Sequence, residues 1–130
     1  MKFLAVILLA ASSALGQPRT EVALDPAERE HVLGEMRGFL VTVERFTSAL
    51  AKGDFGALAA AAPAAAPHER MRHGFAQKLP PAFRKLAFST HEQLAAIGAD
   101  ASRRDARHSL EQVSRLLQTC NACHAAYQLP

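Results

Sequence analysis

From Val32 to Leu50 the apolar residues return every three or four positions. Val32, Leu33, Met36, Phe39, Leu40, Val43, Phe46 and Leu50 fall on one stripe of a single long helix. The start of that helix is also written in the chain. Asp25 can cap it, Pro26 suits the first helical position, and Glu28 stands where a capping box places its carboxylate. The expected span is 26–52, ended by Gly53. No long alternating run of Val, Ile and Thr occurs, and no Asn-Gly or Asp-Gly turn, so no strand is expected.

Three more helices follow from the same reading. Asp54 caps a second, which starts at Phe55 and is rich in alanine. Pro63 and Pro67 each remove a backbone donor, so a kink or break is expected there, after which "HERMRHGFAQKL" can resume the helix with Met71 and Phe75 inward. A third begins at Pro81, faces Phe83, Leu86, Ala87, Leu94 and Ile97 inward, and ends at Gly98. The fourth follows "ADAS" with Ser102 as cap, and its stripe reads Ala106, Leu110, Val113, Leu117, Cys120, His124 and Tyr127. Short connections make sequential helices antiparallel, so the expected fold is all-α, an up-down-up-down four-helix bundle.

The first 16 residues are set apart. Lys2 precedes an apolar run from Phe3 to Ala11, and Ala14 and Gly16 have the spacing of a cleavage site. A membrane anchor needs roughly 20 apolar residues, about twice this run, so 1–16 reads as a secretory signal peptide and 17–130 as the mature domain. Losing Lys2 takes the formal charge from +3 to +2. Lys and Arg form no basic stripe, which disfavours nucleic acid as a partner. After signal cleavage no membrane anchor is expected.

The chain has two cysteines, and both lie in "CNACH", residues 120–124. A disulfide across two intervening residues closes a tiny loop and gains little loop entropy. The spacing Cys-x-x-Cys-His is instead that of a c-type haem attachment site. The two thiols can add across neighbouring haem vinyl groups as thioethers, and the histidine can reach the iron. On a helix Cys120 and His124 lie one turn apart, with Cys123 beside them. His124 is the expected proximal ligand. A thioredoxin-like site needs a strand before it in a longer βαβ chain, and zinc wants four ligands where three cluster here. The core is thin as well. There is no tryptophan, and alanine dominates several faces, so a porphyrin would supply bulk that the side chains do not.

"CNACHAAY" near the C-terminus, "EREHVLGEMRGFL" in the first helix and "KLPPAFRKLAFSTH" leading the third make nearly the whole mature chain resemble the class II c-type cytochromes. These are the cytochrome c-prime group and its low-spin, methionine-ligated relatives. The first segment is the diagnostic one. The resemblance implies one covalent haem c on the C-terminal helix and export to a bacterial periplasm; relatives often form homodimers through the first two helices, but the alanine-rich second helix offers little apolar area here, so a monomer–dimer balance is expected. It also implies Met36 as sixth iron ligand. Leu33, one turn earlier, is the competing distal residue that would leave the iron five-coordinate, and Met71 is a weaker ligand candidate. Arg29 or Arg37 can pair with haem propionates. Tyr127 is expected to pack near the haem edge. His31, His68, His73 and His108 are read as solvent-facing and His91 as a structural histidine.

Three functions remain open on these grounds. Filled axial positions suit electron transfer, with the soft Met36 thioether raising the potential. An open sixth site suits a binder of nitric oxide or carbon monoxide. A haem-free helical module would use the Cys-Cys-His cluster for a metal or a redox switch. No nucleophile set or acid–base pair is evident, so no enzyme is expected. Nothing in the chain names a redox partner, and the small net charge gives no steering clue.

Overall fold

The computed structural model describes residues 18–63 and 74–130. The signal peptide at 1–16, the Pro67 break, and His68, Met71 and His73 lie outside the described residues. Within them four α-helices dominate: α1 (Pro26–Ala51), α2 (Phe55–Ala61), α3 (Pro81–Asp100) and α4 (Ala106–Ala126). α1 packs on α2 and α4, α2 on α3, and α3 on α4. No described helix is long and apolar enough to cross a membrane.

α1 begins as its sequence dictates. The Asp25 carboxylate accepts from the Glu28 N–H at 2.9 Å, and the Glu28 side chain accepts from the Asp25 N–H at 3.0 Å. Lys78 donates to Glu28 at 2.6 Å; this hydrogen bond, then the one from the Asp25 N–H, holds the Glu28 carboxyl below its usual range, and the hydrogen bond and charge of Glu28 hold the Lys78 amine above its own. Gly53, at φ +65°, then takes the left-handed turn that frees the chain from α1.

Four details depart from the sequence reading. α2 stops at Ala61 just ahead of Pro63, as expected, but residues Gly74–Lys78 form a tight 3-10 turn instead of a resumed α-helix. Gly98 does not end α3, which runs on to Asp100; it lies where α2 crosses, and a Cβ there would overlap the Ala62 methyl. The cap of α4 is Asp105, whose side chain accepts from the His108 N–H at 2.9 Å, while Ser102 sits in a short 3-10 turn over Ala101–Arg103. A strand pair also exists: β1 (Thr20–Glu21) runs parallel to β2 (Tyr127–Gln128), and the Val22 N–H extends the ladder to the Gln128 carbonyl at 2.9 Å.

The core has two parts. At one end Phe46 and Ala49 of α1, Leu58 of α2, Leu94 and Ile97 of α3, and Val113 and Leu116 of α4 form a closed cluster. At the other end Val22, Ala76, Leu79 and Phe83 pack with the half-buried Cys123, Tyr127 and Leu129. The buried face of α4 is turned from the expected stripe. Ser109, Gln112, Val113 and Leu116 point inward, and Leu110 and Leu117 remain 51% and 44% exposed. Polar residues can take inward positions because their donors find partners. Ser109 donates to the Asp105 carbonyl at 3.0 Å and Gln112 to the Asp100 carboxylate at 2.7 Å. On α1, Leu40 likewise faces out, at 71% exposure.

Asp100 is a tie point, since His108 Nε2 lies 3.1 Å from the carboxylate oxygen that Gln112 uses. His108 is therefore half-buried and hydrogen-bonded, where the sequence had suggested a solvent-facing residue. The hydrogen bond with His108, then that with Gln112, pulls the Asp100 carboxyl below its usual range. A carboxyl lowered by folding contributes stability above its unfolded pKa and loses it as pH falls through the folded value. The stability gap between the wild type and Asp100→Asn is thus expected at neutral pH and to close on acidification below about pH 4, read from urea midpoints. Leu94→Ala, at a fully buried site, should cost about 3 kcal/mol in urea unfolding. The exposed Leu110→Ala should stay within about 0.5 kcal/mol.

Candidate cofactor site

The last two turns of α4 carry Cys120, Cys123 and His124, and Tyr127 closes the helix by donating its N–H to the Cys123 carbonyl. Helical spacing sends the cysteines to different neighbours. Cys120 packs against the closed core cluster, and Cys123 against the cluster around Phe83. Both thiols are free and half-buried, and His124 is exposed. α3 braces this turn: Gln93 Nε2 donates to Thr119 Oγ1, next to Cys120, at 2.8 Å.

Above the second core cluster a cavity of about 340 Å³ opens between α1 and α4. The α1 side contributes Val32, Leu33 and Met36, and the α4 side Cys123 and His124. Phe83 comes from α3, and Tyr127, Gln128 and Leu129 from the C-terminal tail. Arg19 and Arg29 add the charge. Arg29 Nε donates to the Pro130 oxygen at 2.7 Å, and an Arg19 guanidinium nitrogen comes within 3.5 Å of the His124 carbonyl. Tyr127 meets Phe83 edge-on, with centroids 5.2 Å apart.

Six residues singled out from the sequence therefore line one cavity: Cys123, His124, Met36, Leu33, Arg29 and Tyr127. Cys120 is not among the lining residues. Arg37 pairs with Glu30 and is not in the lining either. His91 is largely covered and stands edge-on to Phe39, as a structural histidine should. Sequence reasoning missed Arg19, Gln128 and Leu129 as lining residues. A two-residue strand pair brings them there, and so short a pairing leaves no periodic signal.

The electrostatics of the thiols separate the possible chemistries. Burial raises the Cys120 pKa, and burial together with the neighbouring Cys120 raises that of Cys123. A redox Cys-x-x-Cys draws a low thiol pKa from a helix N-terminus, whereas this pair lies at a C-terminus, where the helix dipole opposes a thiolate. Among the described residues no group of three or more His, Cys, Asp or Glu side chains is gathered closely enough to hold a metal ion. The donor set fits a macrocycle better. An imidazole and a thioether line one largely apolar cavity, with two guanidiniums at hand for acidic substituents. No family model, curated protein or solved structure matches the chain.

The raised pKa values have a direct consequence. In the chain with both thiols free, at pH 7, iodoacetamide should label Cys120 and Cys123 more slowly than free cysteine. The labelling rate should climb only as pH passes the ordinary thiol range, as followed by mass spectrometry.

Proposed function

We propose that the chain is an exported electron carrier with one covalent haem c, an antiparallel up-down-up-down four-helix bundle of the class II cytochrome kind. The observation that carries this reading is the single cavity that receives His124 and Cys123 from α4 and Met36 and Leu33 from α1. Cys123 lines that cavity and would form one thioether, and the second would require Cys120 to turn from the core toward the cavity. When bound, haem supplies an iron centre that takes up and releases one electron.

The chain's own side chains do the rest. His124 offers its imidazole from the α4 side, held in place by a helix that α3 braces. Met36 offers a soft thioether from the α1 side, which favours the ferrous state and raises the potential. Val32, Leu33, Phe83 and Leu129 keep water from the lining. Arg29 and Arg19 place positive charge where propionates can be paired, and paired guanidinium–carboxylate contacts give orientation as well as attraction. The reading assigns electron carriage rather than catalysis, in the periplasm, with a redox partner protein.

Leu33 lines the same cavity one turn from Met36, and this favours a second reading. With Leu33 over the iron and Met36 at the porphyrin edge, the protein would be a five-coordinate binder of nitric oxide or carbon monoxide. One preparation distinguishes the cases. Chain made in a host able to attach haem should stain for haem on a denaturing gel, and Cys120→Ser with Cys123→Ser should abolish the stain. The ferric protein should be low-spin with a weak far-red charge-transfer band, which Met36→Leu removes while the reduced variant gains prompt carbon monoxide uptake. Prompt uptake by the unsubstituted protein, without that band, selects the gas-binding reading. A colourless product at the bare polypeptide mass overturns both.

A further inference from the structure

Two polar rungs tie α4 to α3. Gln112 donates to the Asp100 carboxylate at 2.7 Å, and Gln93 Nε2 donates to Thr119 Oγ1 at 2.8 Å. Gln93 and Asp100 are seven residues apart on α3, and Gln112 and Thr119 are seven apart on α4. The pairing runs in opposite order along the two helices, so they are antiparallel here and the rungs stand about two turns apart on one face of each. Leu94, Ile97 and Leu116 are buried in the stretch that the rungs bracket. Apolar burial is non-directional and tolerates a helix rolling on its neighbour. Hydrogen bonds at two points do not. The second rung lies next to Cys120 in the chain.

The rungs add little net stability. Gln93 and Gln112 each leave Oε1 buried with no partner. An orphaned buried acceptor costs as much as an ordinary hydrogen bond returns, or more. Gln93 uses its Nε2 a second time, donating to Ser89 Oγ on its own helix at 2.9 Å, which fixes the amide against α3. Its effect is therefore on geometry. We propose that Gln93 is a positioning residue for the cofactor site: through Thr119 it sets the roll of the last two turns of α4, which keeps Cys120 against the closed core while Cys123 and His124 line the cavity. The role toward a cofactor rests on the haem reading, and the placement of the thiols does not.

Two near-isosteric changes cut the rung, Gln93→Leu from α3 and Thr119→Val from α4, and Thr119→Ser keeps the accepting hydroxyl. In the chain with both thiols free, limited iodoacetamide labelling at one pH, read by peptide mass spectrometry, gives the ratio of Cys120 to Cys123 modification. Each cut should raise that ratio about fivefold, the factor one ordinary hydrogen bond is worth in a local opening equilibrium, with the urea midpoint little changed. Thr119→Ser should restore the ratio. In protein loaded with haem, both cuts should shift the midpoint potential in the same direction, and Thr119→Ser should return it. An unchanged ratio in both cut variants overturns the proposal. So does a rise shared equally by the two cysteines with a lowered urea midpoint, which marks a loosened fold. A raised ratio with an unmoved potential overturns the role at the cofactor. Chain that takes up no haem overturns the haem reading, and the labelling ratio still decides whether Gln93 places the thiols.

Discussion

The docking of the last two turns of α4 beside the first turns of α1 is the contact on which the functional end depends. It places a helix that carries two thiols and an imidazole across a cavity from a helix that carries a thioether. Neither helix makes the site alone. The closed core cluster at the far end, built around Phe46, Leu94, Ile97 and Leu116, holds the helices at the separation that leaves this cavity open. Its side chains are fully or almost fully buried, and such interiors transmit position because they are close-packed.

The two ends of the described chain reinforce that docking. The β1–β2 pairing, the Val22 bond to Gln128 and the Arg29 bond to Pro130 bring residues from both ends to one side of the cavity. Val22 is buried and packs in one cluster with Phe83. Backbone pairing of this kind costs little sequence, since nearly any residue can supply an N–H and a carbonyl. It determines nonetheless which polar groups reach the cavity, and Arg19 and Gln128 arrive only through it.

The thiol environment ties fold to chemistry. Burial raises the pKa of Cys120 and Cys123, and the helix C-terminus likewise opposes a thiolate, so neither thiol is activated as a nucleophile. Cys120 packs against the closed core cluster and is not in the lining of the cavity. Cys123 and His124 already face the cavity. Gln93, bonded to Thr119, is the α3 contact nearest that segment.

Local chemistry was legible in the sequence wherever it needs only neighbours along the chain. The Asp25–Glu28 capping box, the Gly53 exit, the break before Pro63 and the grouping of Cys120, Cys123 and His124 all depend on residues within a few positions of one another. The pairing of Met36 and Leu33 with His124 was expected by resemblance, and the cavity brings the three together. Which flank of α4 turns inward was a tertiary decision. Leu116 and Leu117 are adjacent and equally apolar, and a 3.6-residue period cannot choose between them. The choice fell to Asp100 and the Asp105 carbonyl, which accept from the Gln112 amide nitrogen and the Ser109 hydroxyl and so let a partly polar face be buried, with Gln112 Oε1 left unpartnered. The role of Gly98 and the β1–β2 pairing were likewise decided only in three dimensions, because each depends on a partner many residues away that leaves no periodic mark on the chain.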